Sequence, residues 1–219
     1  MAKKLTVAVE HIRVYNIPDA LRGMRNPMES WDKSDTTESF DKITGMLIPI
    51  IGANDLYLAM KLAKLGGPHA KYRRQIFVSY DLIAPWYFWK EYETYQVGTV
   101  ENSTSQMFKM GSRLLTRKDF AFDKWGEDEK NLLKFINRLI QEWQDLGSKK
   151  RTPEWRKLMQ FVPGSYKYRR TCTANYDVLS NMYRWRKDHK LQEWRDFLSI
   201  METACPYSQI WTLNEPSDQ

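Results

Sequence analysis

Apolar residues recur along this chain at two different periods, and the switches between them mark its elements. From Leu5 to Tyr15 the apolar positions Leu5, Val7 and Val9 alternate with polar ones, which predicts a strand. Gln75 to Leu82 (QIFVSYDL) alternates again and is rich in β-formers, so it predicts a second strand paired with the first. Elsewhere the period is helical. A short helix capped by Asp19 runs to Met24 and stops before Asn26-Pro27. Asn54 to Leu65 carries Leu56, Leu58, Met60 and Leu62 and ends at Gly66-Gly67-Pro68. Pro85 opens a helix whose Trp86, Phe88, Trp89 and Tyr92 are bulky enough to anchor it in a core. Glu127 to Leu146 presents one broad face, from Leu132 to Leu146, wide enough for a sheet and a neighbouring subunit; Gly147 ends it. Pro153 to Phe161 is a further short helix, and Leu191 to Thr203 is the last, closed by Pro206. The pattern predicts an α+β fold in a single domain over residues 1–219: a twisted, mainly antiparallel sheet flanked by the helices near residues 54, 132 and 180. The polar tail NEPSDQ is expected to be disordered.

Composition narrows the class. No apolar run reaches the roughly 20 residues of a membrane helix, and the opening MAKKLTVAVEHIRVY lacks the apolar core of a signal peptide, so a cytoplasmic protein is expected. Cys172 and Cys205 stand alone and His11, His69 and His189 are scattered, so neither a disulfide nor a metal centre is expected. The formal charge of +7 favours anionic partners, and the dispersed basic pairs suit a phosphate pocket at least as well as a nucleic-acid stripe.

The richest chemistry lies between Thr171 and Arg195. On one helical pattern, Val178, Met182 and Trp185 form an apolar face, while Asn175, Arg184, Arg186, Lys187, Lys190 and Gln192 supply donors. An arginine fork suits a phosphate or a base carbonyl, and Asn or Gln can read a ring edge. Helical spacing puts Asn175, Arg186 and Gln192 on one wall of the main pocket. The polar run Gly98 to Gln106 is too hydroxyl-rich for a core and suits a loop over a ligand. Arg22, Arg25 and Trp31 are a second set of candidate pocket residues.

Asn175, the Arg184-x-Arg186-x-Asp188 run and Gln192 resemble the C-terminal motif of the flavin-dependent thymidylate synthases. Between Gly67 and Met107 the chain is similar to that family again in spacing: Gly67 and His69 flank the family's Gly-His position, and Pro85 falls on its helix start. The resemblance covers about a third of the chain. It implies a homotetramer that binds a deoxyuridine monophosphate (dUMP)-like pyrimidine nucleotide. It further implies flavin adenine dinucleotide (FAD) as cofactor and, if the family reaction is retained, folate as methylene donor and NADPH. Carried over residue by residue, Arg186 would activate the nucleotide, with Arg184, Gln192, Glu91, Thr104 and Gln106 as its contacts. Asn175, His69, Thr94, Tyr95, Gln96 and Asn102 would face the flavin.

Several positions depart from the family pattern. Its Arg-His-Arg reads Thr94-Tyr95-Gln96, its serine reads Thr104, its Asn-Glu reads Glu101-Asn102 and its Arg-Tyr reads Gln106-Met107. Because the Arg-His-Arg cradles the flavin in the family, the nucleotide is expected to bind more readily than FAD. Lys90, Arg73 and Arg74 are the nearest replacement cations. Two readings stay open: an enzyme of pyrimidine-nucleotide metabolism, or a silent nucleotide- or nucleic-acid-binding module on the same fold.

Overall fold

The computed structural model of the protein describes residues 6–43 and 45–213. Leu5 and the tail 214–219 lie outside the described residues. In chain order, strand β1 (Ala8–Tyr15) leads into helix α1 (Ile17–Met24). The hairpin β2 (Thr37–Asp41) and β3 (Met46–Ile50) precedes α2 (Ala53–Leu65), a 3₁₀ segment Gly67–Gln75, β4 (Phe77–Pro85) and α3 (Trp86–Tyr92). Then come β5 (Val100–Ser103), α4 (Gln106–Lys109), α5 (Glu127–Asp145) and α6 (Pro153–Gln160). The chain finishes with β6 (Lys167–Asn175), α7 (Tyr176–Arg186), α8 (Gln192–Ala204) and α9 (Gln209–Thr212). The fold is α+β, with a four-stranded sheet in the order β1-β4-β6-β5, so the two strands read from the pattern are neighbours as expected.

Packing gathers the described residues into two compact units with interleaved sequences. One contains Leu82–Thr94 and Asn102–Thr171; the other contains Val9–Asp81, Tyr95–Glu101 and the chain from Cys172 on. In the first, Ile136, Leu139, Ile140 and Trp143 of α5 form a core with Met110, Leu115, Phe120 and Leu158. The broad α5 face is therefore covered by α6 and the 110–120 segment, where the sequence suggested a sheet. Asn137 fixes that segment by accepting from the Leu115 N–H (2.7 Å) and donating to its carbonyl (2.9 Å).

The second unit departs from the sequence reading in four places. Asn16, in a left-handed conformation, takes the N-cap position of α1 that was expected for Asp19, three residues further on, because Pro18 already lies in the first turn, where its fixed φ suits a helix start. Thr37 to Ile50 forms an antiparallel hairpin with Thr37 opposite Ile50 and Phe40 opposite Leu47. Its alternation was hidden because Phe40, Leu47, Ile48 and Ile50 are exposed. The stretch Thr171–Arg195 is a strand end and two helices, since Asn175 is extended and the chain leaves helical geometry after Arg186. Finally, Arg25 is buried in an ion pair and lines neither of the two cavities described below: it donates from Nε to Asp55 at 2.6 Å.

Asp55 organises the start of α2. Its Oδ2 accepts from the hydroxyls of Ser34 (2.7 Å) and Thr36 (2.6 Å) and from the Thr36 N–H (3.0 Å). Asp35 caps the same helix from outside, accepting from the N–H groups of Asn54 and Asp55. Gly52 is required for this approach, because a Cβ there would lie 2.1 Å from the Asp35 carboxyl carbon. Burial alone raises the Asp55 carboxyl, but the hydrogen bonds from Thr36, Ser34 and Arg25 outweigh it and hold the group below its ordinary 3.8. Its contribution to stability is thus fully present above 3.8 and is lost as pH falls through the lower folded value. Asp55→Asn, which strands the buried Arg25 guanidinium, should cost about 3–5 kcal/mol by chemical denaturation. It should also remove part of the wild-type loss of stability below about pH 4. An unchanged unfolding midpoint would show that this ion pair does not hold α2.

Candidate functional site

The alternation of β6 buries Tyr168, Arg170, Cys172 and Ala174, and delivers Asn175 to the start of α7. There the Asn175 side chain accepts from the Val178 N–H at 2.9 Å, an N-cap that occupies its carbonyl oxygen and not its amide NH₂. Along α7 the face Asp177, Asn181, Arg184 follows helical spacing and lines an open cavity of about 470 Å³, within the size range of small-molecule sites. Arg73 and Arg74 of the 3₁₀ segment and the Val97-Gly98 loop line it as well.

Asp177 ties this cavity together. Its Oδ1 accepts from Arg73 at 3.0 Å and its Oδ2 from the Arg74 Nε at 2.9 Å, while Arg73 also donates to the Ser180 hydroxyl at 2.9 Å. Arg73 is 2% exposed and Arg74 is exposed, so one guanidinium is a buried support and the other reaches the opening. Three guanidiniums on the lining against one carboxylate leave a net positive site, with Asn175 and Asn181 adding neutral amide groups. Such a wall accepts an anion and can orient a polar ring beside it. Gly98 is shaped to this wall: its φ is +87°, and a Cβ would lie 2.9 Å from the Val178 methyl and 3.2 Å from the Asn175 amide nitrogen.

The residues expected to share the main pocket are divided by the structure. Asn175 and Arg184 line it; Arg186 and Gln192 are not among its lining residues. Arg186 is half-buried beside it in sequence but engaged elsewhere. Its Nε donates to the Tyr95 hydroxyl at 3.1 Å, its guanidinium lies over the Trp194 ring at 5.3 Å, and it meets His189 Nε2 at 2.9 Å. Gln192 opens α8, where it bonds Asp196 at 2.7 Å and Arg195. His69 is exposed on the 3₁₀ segment and Asn102 is exposed on β5. Glu91 belongs to α3, and its carbonyl accepts from the Thr94 hydroxyl at 2.8 Å. Thr104 and Gln106 line a different cavity, of about 390 Å³, within the unit built on α5. Asp177, Ser180 and Asn181 were missed by the sequence reading, although their spacing to Arg184 is that of one helical face.

The segment Thr94-Tyr95-Gln96 bears on the flavin expected from the resemblance. Tyr95 is buried, its ring packs edge-on against Trp194 at 5.7 Å, and its hydroxyl receives Arg186. Thr94 turns back on Glu91 and Gln96 carries no charge, so these three residues do not fit the diphosphate of FAD. Among the described residues no cluster of His, Cys, Asp and Glu could hold a metal ion, and no helix is long and apolar enough to cross a membrane. Burial pushes the Cys205 thiol up to about 12, which keeps it protonated and poorly nucleophilic at neutral pH.

No protein-family model and no curated protein sequence matches the chain. Solved structures do. A flavin-dependent thymidylate synthase, ThyX, from Helicobacter pylori, complexed with FAD and dUMP, superposes with a TM-score of 0.71 at 14% identity, covering 93% of this chain and 97% of that one. A second structure of that enzyme with FAD and dUMP gives 0.70 at 14% identity, with 94% and 95% covered. The UMP/dUMP methylase PolB from Streptomyces cacaoi, bound with 5-Br dUMP, gives 0.59 at 12% identity, with 94% of each chain covered. The chain therefore has the flavin-dependent thymidylate synthase fold, and at these identities the likeness is one of fold.

Gly98→Ala tests the fit of the cavity wall. The left-handed backbone and the close Val178 contact should together destabilise the protein by about 1–3 kcal/mol in thermal unfolding. An unaltered melting temperature would mean that the Val97-Gly98 loop is not seated on α7.

Proposed function

We propose that this protein is a divergent relative of the flavin-dependent thymidylate synthases that binds, and acts on, a pyrimidine deoxynucleotide of the dUMP class in the α7 cavity, as a homotetramer. The observation that carries the reading is the cavity wall itself: Arg73, Arg74 and Arg184 gathered around Asp177, with the Asn175 and Asn181 amides alongside. The fold adds support, since the superposing structures hold dUMP or its 5-bromo analogue. Arg184 and Arg74, at the opening, suit the nucleotide phosphate. Arg73, buried beneath them, keeps Asp177 from neutralising both. Asn175 and Asn181 can pair a donor and an acceptor with the pyrimidine edge.

Arg186 occupies the family position for activating the ring, and stabilising negative charge there is the role this reading gives it. To do so it must leave Tyr95. That contact favours a second reading, a nucleotide- or nucleic-acid-binding module without catalysis, because the Tyr95 hydroxyl and the Trp194 ring hold the guanidinium in place. FAD ranks behind the nucleotide as a ligand, given the uncharged Thr94-Tyr95-Gln96 segment.

Calorimetric titration of the full chain with dUMP and with FAD separates these cases. The proposal expects dUMP to bind more tightly than FAD, and Arg184→Ala to weaken dUMP by about ten- to a hundredfold through loss of a charge-assisted contact. A yellow protein on purification, or FAD binding tighter than dUMP, would reverse the ranking and restore the ordinary synthase. Binding of neither would leave the module reading.

A further inference from the structure

Among the described residues, β2 and β3 pair only with each other and form a two-stranded sheet of their own. A ribbon of two strands is marginal in water unless a further strand or a packed face supports it. Its apolar side chains give little such support, since Phe40 is 60% exposed and Leu47, Ile48 and Ile50 are about half-exposed. Pro49 fixes which backbone groups point outward. It stands opposite Glu38 and has no N–H to give, so that pair is a non-hydrogen-bonded one. The Pro49 carbonyl accordingly turns away from β2 and accepts from the Tyr207 hydroxyl at 3.3 Å. By alternation Phe40 and Leu47 are non-hydrogen-bonded too, while Thr37, Ser39 and Asp41 bond to β3. The outer edge of β3 is thus closed by a proline and a tyrosine. The outer edge of β2 presents the N–H and C=O of Glu38 and Phe40, which meet no partner among the described residues. β2 carries neither proline nor lysine to blunt that edge, which makes it a template for an added strand.

The strand that fits must not set an acidic side chain opposite Glu38 or Asp41, and β2 itself meets the condition. Two β2 strands running antiparallel about a twofold axis pair all five residues only when the axis passes Ser39. Glu38 then lies opposite the copy's Phe40, and Thr37 opposite the copy's Asp41. Each Glu38–Phe40 pair exchanges both of its backbone hydrogen bonds, and no two carboxylates are opposed. The two Phe40 rings come to lie diagonally on one face, within reach of each other. A slip of two residues one way sets Glu38 against Glu38, and the other way draws Lys42 of the turn into the ladder. We infer that the β2 edge is a self-association surface, through which a second copy of this chain continues the hairpin into one sheet of order β3-β2-β2-β3. The inference rests on the assembly proposed above, and no ligand enters it.

Disulfide trapping of the full chain tests the register. Ser39 and Thr37 are exposed and the native Cys172 and Cys205 are buried, so Ser39→Cys and Thr37→Cys each supply one accessible thiol. Across the axis Ser39 meets its own copy as a non-hydrogen-bonded pair about 4.5 Å apart at Cα, within disulfide range, whereas Thr37 lies about 14 Å from its own. Under mild oxidation Ser39→Cys should form a covalent dimer at least about tenfold faster than Thr37→Cys. Adding Glu38→Pro, which removes an outward N–H that β3 does not use, should abolish that advantage. Equal rates at the two positions, no dimer at Ser39, or a Ser39→Cys dimer that forms as fast with Glu38→Pro would overturn the inference. Light scattering on the wild-type protein separates the two levels. A tetramer without the Ser39 cross-link keeps the assembly and rejects this surface, while a monomer rejects both. Titration with dUMP tests the α7 cavity by itself, because the hairpin supplies none of its lining residues.

Discussion

The grip of Asp177 on Arg73 and Arg74 is the interaction on which the candidate site depends. A guanidinium buried as deeply as Arg73 needs a counter-charge, which the Asp177 carboxylate supplies, and the Ser180 hydroxyl accepts from it one turn further along α7. Asp177 stands in the first turn of that helix, where the aligned N–H groups favour a negative charge. The same bonds fasten the 3₁₀ segment Gly67–Gln75 to α7, and the Tyr176 N–H adds a backbone bond to Ile76 at 3.0 Å. A helix, a 3₁₀ segment and a glycine loop thereby become one wall, and Arg74 and Arg184 reach its opening from fixed bases.

Much of the fold was legible because local patterns and global packing agree. The helix read over 54–65 is α2, the one over 127–146 is α5 with Leu146 as its C-cap, and Pro153 opens α6 behind a Thr152 cap. β6 was not legible because its inward positions include Arg170, which breaks the apolar alternation. That guanidinium is 8% exposed, sits 4.2 Å from the Trp89 ring centre and bonds Glu93, a burial that only tertiary contacts can disclose. The hairpin failed for the opposite reason, since its apolar side chains face outward and carry no inside-outside signal.

The site was legible by residue type more than by geometry. Asn175 was identified, yet counting helical turns from it placed Arg186 on the cavity wall. Asn175 is the extended cap, with φ −135° and ψ 171°, so the helical count starts one residue later. Arg184, seven residues after Asp177, stays on that face, and Arg186 is carried round to Tyr95 and Trp194. Tyr95, which the resemblance sets against the family's central histidine, is here a structural partner of Arg186. The cations on the α7 cavity include Arg73 and Arg74, which precede β4.

The account stands on the α7 cavity holding a pyrimidine nucleotide. A crystal of the full chain soaked with 5-bromo-dUMP, with the bromine located by anomalous scattering, tests that most directly. The account predicts one bromine beside Asn175 and Asn181, with the phosphate against Arg184 and Arg74. A bromine bound at another place, or a cavity that stays empty at saturating ligand, would contradict it.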